Sequence, residues 1–213
     1  MPELSRDDAR DKREAIIESA RTLFAEQGYE ETTIAEIARA AGVAVGTVYL
    51  YFQNKRQILI EVSITINTAI APLMQSPELL NVPIRQIPRL LIEETFRTCR
   101  RYIGVMSLYQ VNVPSPEEVS RLQLAKEEVN QALEALLRQM VEHGQLPPFD
   151  TVMYARMING LVESVLQRCF AVEHGEHEDL YREGLIELIE RLFFGPPIQG
   201  EAGQVTRSEN DTR

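Results

Sequence analysis

Tryptophan is absent from this 213-residue chain, histidine occurs three times and cysteine twice. The two cysteines, Cys99 and Cys169, have no CxxC spacing, which removes a zinc ribbon and a disulfide framework and leaves ordinary reduced thiols. Of the histidines, His143 stands just before Gly144, while His174 and His177 fall in an acidic turn. No second Glu-x-x-His helix pair completes a di-metal site, so a helical-bundle metalloenzyme is only a remote alternative. No glycine-rich phosphate loop follows a strand, and no GxSxG is present. No enzymatic activity and no cofactor are expected.

Basic excess is missing as well. The net charge is −10, which argues against a protein that coats nucleic acid by bulk charge. Residues 1–60 hold eight Lys or Arg against ten Asp or Glu, and the rest of the chain 14 against 22. Any DNA contact has to be local and geometric. No run approaches the ~18 consecutive apolar residues of a membrane span, so no membrane partner is expected. The opening "MPELSRDDARDKREAII" is charged and lacks an apolar h-region, which argues against a signal peptide and for a cytoplasmic protein.

Period-two alternation is also lacking, and helical periodicity fills its place. The hydrophobic share of 44% and charged share of 25% are those of a globular protein with a core. Ile16, Ala20, Leu23 and Phe24 form one apolar stripe, and Gly28 ends a helix expected at about 6–27. Thr33 and Glu36 make a capping box for a helix at about 33–41 that Gly42 stops. A short helix follows at about 45–52. Asn54 caps a fourth helix that runs on until Pro72 disrupts it. Pro77, Pro83 and Pro88 mark a connection. Further helices are expected from Ile87 with a break near Gly104, from Ser115 to about His143, at about 150–173 and at about 178–194. The fold class is all-α, about nine helices and no sheet. The polar stretch 196–213 reads as a disordered tail.

The segment "TTIAEIARAAGVAVGTVYLYFQNK", residues 32–55, holds two short helices joined by a glycine turn, the pattern of a helix-turn-helix at about 33–52. At about 100° per residue, Val48 and Phe52 share one side and would bury against Phe24, Ile37 and Ala38. Tyr49 and Tyr51 fall on other sides. A phenol there can donate to phosphate while its ring packs on sugar.

Residues 12–60 resemble the N-terminal DNA-binding domain of the TetR family of bacterial transcriptional regulators. The resemblance rests on Leu23-Phe24, Gly28-Tyr29, Thr32-Thr33, Ile37-Ala38, Ala41-Gly42-Val43, Gly46-Thr47-Val48-Tyr49, Tyr51-Phe52 and Asn54-Lys55. It implies a DNA-binding domain at 10–70 and a helical ligand-binding and dimerisation domain at 71–195. By position, Thr33, Tyr49 and Tyr51 would meet the DNA backbone. Ala35 would meet a thymine methyl or nothing, and Val45, Gly46 and Thr47 would face base edges. Lys55 would offer a charge at a helix N-terminus that favours an anion. This surface lacks Arg, Asn and Gln, the side chains suited to bidentate base contacts, so direct readout is expected to be modest beside backbone contacts and DNA shape.

The resemblance further implies a homodimer on a pseudo-palindromic operator, released as a repressor by a small effector. An activator of the same family is the alternative reading, and a helix-turn-helix protein that binds another protein is a further one. The last two helices would form the dimer interface, with Leu161, Val165, Leu185, Ile189 and Leu192 as candidates. Candidate effector-lining residues are Ile66, Ile70, Phe96, Met106, Tyr109, Met153, Met157 and Phe170. Arg100, in a cluster with Arg97 and Arg101, could meet an acidic group. The expected effector is apolar or amphipathic.

Overall fold

The computed structural model describes residues 6–102 and 115–195, and among these the chain is helical with no strand. Its first four helices build a small head. Helix α1 (Arg6–Gln27) ends where Gly28 takes φ +86°, and Thr32 folds back to donate to the Gly28 carbonyl at 2.7 Å. Helix α2 (Ile34–Ala40) starts on the Thr33/Glu36 capping box and closes at Gly42, φ +68°. There Val43 N–H reaches the Ala38 carbonyl at 2.9 Å and Gly42 N–H the Arg39 carbonyl at 3.2 Å, the paired bonds of a Schellman turn. Helix α3 (Val45–Tyr51) is two turns long, too short to persist alone. Its Val48 is buried, as is Phe52 just after it, against Phe24, Ile37 and Ala38 in one apolar cluster. Helix α4 (Lys55–Thr68) is capped by Asn54 and adds Ile58, Leu59, Val62 and Ile66 to that cluster.

A second cluster begins at Ile70 and continues to Ile189. It is built by α5 (Ala71–Met74), two 3-10 turns at Pro77–Asn81 and Ile84–Gln86, α6 (Ile87–Arg101), α7 (Pro116–Glu142), α8 (Thr151–Leu166) and α9 (Glu178–Phe194). Serine, proline and glutamate start α7 as a full capping box, with Ser115 accepting from Glu118 N–H. The clusters are not separate: Tyr102, at the end of α6, is buried in the first.

Two expectations change. The helix from Asn54 ends at Thr68, and Pro72 lies in the first turn of α5, where its missing N–H leaves nothing unsatisfied. The helix expected at about 150–173 is α-helical only to Leu166 and then widens into a π turn at Gln167–Val172, with Glu173 N–H reaching the Arg168 carbonyl five residues back. The segment Lys55–Met74 has the length and mean hydropathy, 1.4, that could cross a membrane, but half of that window is buried in the protein. Gly104 and the stretch 196–213 lie outside the described residues.

Candidate nucleic-acid interface and effector cavity

Helices α2 and α3 meet at 101°, within the range of a helix-turn-helix. With Val48 fully buried, the positions half a turn away, Gly46 and Leu50, point outward. Tyr49 and Leu50 are 53% and 77% exposed, and Val45 and Ala35 are exposed beside them. Thr47 and Tyr51 are half-buried, and Tyr51 packs on the edge of the first cluster. Neither is sealed inside. Leu50 belongs to this outer face and was not among the candidates. The signal was available: burying Val48 and Phe52 on one side puts residue 50 on the other.

Two candidates have different surroundings from those expected. The Lys55 ammonium donates to the carbonyls of Tyr29 at 2.7 Å, Thr32 at 2.9 Å and Glu30 at 3.1 Å, and sits 4.3 Å from the centre of the Tyr29 ring. All three of its protons are engaged. A phosphate contact through this side chain is corrected to a structural role: it ties the α1–α2 loop to the start of α4. The Thr33 hydroxyl donates to Glu36 at 2.8 Å and accepts from Glu36 N–H at 3.2 Å. The Thr33 backbone N–H, 2.8 Å from the same carboxylate, and then the Thr33 hydroxyl hold the Glu36 carboxyl below its usual pKa, so a carboxylate stands beside Thr33 at neutral pH and a phosphate contact there would have to displace it. The cap role is what the geometry contains.

A cavity of about 500 Å³ opens in the second cluster, within the usual size of ligand pockets. Ile66 and Ile70 are in its wall, with Leu91, Val129, Leu133, Ile158 and Phe193. Cys99 is there too, its thiol pushed up to about 12 by burial and so protonated at neutral pH. Lys126 and Glu163 also line the cavity, paired at 2.6 Å and about half exposed, which puts them at its rim. The other candidates are elsewhere. Phe96 and Phe170 are buried against each other, ring centres 5.7 Å apart, as plain core. Arg100 is exposed and pairs with the buried Glu178. Met153 and Met157 point outward from α8. Met106 and Tyr109 lie outside the described residues.

Residues 16–62 match the family model for bacterial regulatory proteins, tetR family. The head of the chain is thus similar to the DNA-binding domain of that family. The fatty acid metabolism regulator protein of Bacillus subtilis (strain 168) is 53% identical over 45 residues, 21% of this chain and 23% of that protein. The uncharacterized regulator YvdT of the same organism is 22% identical over 182 residues, 84% of this chain and 94% of its own. Among solved structures, the FadR regulators of Bacillus halodurans and Bacillus subtilis superpose with a TM-score of 0.62 each, at 23% and 21% identity. They cover 84% and 86% of this chain and 94% and 98% of theirs. These likenesses establish the fold over both clusters.

In this fold the candidate interface residues divide. Leu185 and Ile189 are buried in the second cluster of their own subunit and are corrected to core. Leu161 and Val165 pack on the rim of that cluster, and Leu192 is exposed. The exposed large apolar side chains of these two helices are instead Val152, Met153 and Met157 on α8 and Leu180, Leu188 and Leu192 on α9.

Proposed function

We propose that this protein is a TetR-family cytoplasmic repressor that binds a pseudo-palindromic operator as a homodimer and is released by an apolar or amphipathic effector. Residues 10–70 would bind DNA, and residues 71–195 would bind the effector and dimerise. The outer face of α3, with Val45, Gly46, Thr47, Tyr49 and Leu50, would enter the groove, and Tyr51 would flank it. The observation that carries this reading is the span of α4. Its Ile58 and Val62 belong to the head core, while Ile66, one turn further, is both in that core and in the cavity wall. One helix thus touches reading head and effector at once, and a ligand acts by binding one arrangement better than the other.

The cavity chemistry supports the effector class. Its walls are mostly aliphatic and aromatic, with Asn67, Gln123, Asn159 and Gln167 among them, and its charged pair, Lys126 and Glu163, stands at the rim. That suits a molecule with an apolar body and a polar end. The Bacillus subtilis FadR structure is a complex with stearoyl-CoA, which makes long-chain acyl compounds the first to try. The exposed methionines and leucines of α8 and α9 supply a face for a second copy.

The test is a mobility shift with the DNA upstream of the chain's own gene, titrated with acyl-CoA and free fatty acids. Release of the DNA by such a compound, and not by polar metabolites, is expected. Release by polar metabolites alone would reject the effector class.

A further inference from the structure

Helix α7 is one unbroken run of 27 residues, about 40 Å long, and its first turns face two ways. Val119, Leu122 and Lys126, at i, i+3 and i+7, line the cavity. Glu118 and Arg121, three residues apart, face the head instead. The Glu118 carboxylate takes Arg56 of α4 in a two-toothed grip, Nε at 2.8 Å and Nη2 at 3.0 Å. Arg121 pairs with Glu61 of α4, and Arg13 of α1 grips the same carboxylate at 2.5 Å. Glu61 is 4% exposed. A carboxylate buried that deeply is stable only while its cations stay in place. The guanidinium fork makes both contacts sensitive to direction as well as distance. Helices α1, α4 and α7 are thus joined at one buried charge and one two-toothed pair, beside the cavity wall.

We propose that this ion cluster is a latch through which α7, alongside α4, carries the state of the cavity to the reading head. The inference rests on the cavity being the effector site. A ligand that pushes Val119, Leu122 or Lys126 turns or shifts α7. Because the helix is rigid and continuous, Glu118 and Arg121 move with it. The bonds to Arg56 and Glu61 either drag α1 and α4 along or break. In both cases the head changes its seat, whereas without the latch α7 could move and leave the head behind. Glu118→Gln removes the charge pair yet keeps a residue able to complete the capping box with Ser115, so α7 still starts properly. Arg121→Gln removes the partner that α7 offers Glu61 and leaves Arg13 in place.

The test uses the full chain and anilinonaphthalene sulfonate, a dye with an apolar body and an anionic group, as the cavity probe. Hydrogen exchange is measured over residues 13–61 with and without dye, in the wild type and in Glu118→Gln/Arg121→Gln. In the wild type, dye should change exchange in the head by about threefold or more. The double variant should bind dye within about twofold of the wild type and show no change in the head. Transmission of equal size in the variant would overturn the latch, and so would a wild-type head that ignores bound dye or a wild type that binds none. If the head responds through the latch but neither dye nor acyl compounds affect operator binding, the latch stands and the effector reading fails.

Discussion

Leu50 stands half a helical turn from the buried Val48 and is the most exposed large side chain on α3. An apolar tip there can pack on deoxyribose or a thymine methyl, and a carboxylate there would face phosphate. Leu50→Glu should therefore cost at least ~100-fold in operator affinity while leaving the unfolding temperature within about 2 °C, because an exposed substitution touches no core. Fluorescence anisotropy and a thermal melt read the two quantities. Lys55 should behave in the opposite way. Its ammonium satisfies three carbonyls, so Lys55→Met should lower stability by about 2 kcal/mol in urea unfolding. The slope of operator affinity against salt should stay unchanged, since that slope counts phosphate contacts.

At the scale of elements, the joint between α7 and α4 gives a pH signature. The Arg56 guanidinium holds the Glu118 carboxyl down at about 2, against an ordinary 4.5. The folded state therefore gains stability from this group above pH 4.5, and the gain is lost as pH falls toward 2. Discounted for its partial exposure, the contribution is about 1 kcal/mol. Urea midpoints measured from pH 6 to pH 2.5 should fall more steeply for the wild type than for Glu118→Gln. Equal slopes would mean that the pair is absent in solution. The helix boundaries of this region were legible because capping is local: Thr33 with Glu36, Asn54, Asp150, and Ser115 with Glu118 each announce a start within three residues. The latch was not legible, since Arg56 and Glu118 lie 62 positions apart and nothing local marks them as partners. The same holds for Lys55, whose carbonyl partners lie 23 to 26 positions earlier.

The cavity was the least legible part, for a related reason. Helical periodicity marks an inward face but does not say whether that face meets another side chain or a void. Phe96 and Phe170 meet each other, while Leu133 and Ile158 border the cavity, and all four read alike in sequence. Met153 and Met157 were legible as apolar but not as outward-facing, because the surface that would cover them belongs to a second molecule in the proposed dimer. At that scale, Met157→Glu with Leu188→Glu should give a folded monomer by light scattering and weaken operator binding by at least ~100-fold, since a lone head makes half the contacts.

The most direct measurement is selection of duplexes from a random-sequence pool by the full chain, run in parallel with Leu50→Glu. The outer face of α3, carried twice by a dimer, predicts that the wild type enriches a pseudo-palindrome with half-sites about one helical turn apart, and that Leu50→Glu enriches nothing. Recovery of the same sequences by Leu50→Glu, or no enrichment by the wild type, would contradict the account.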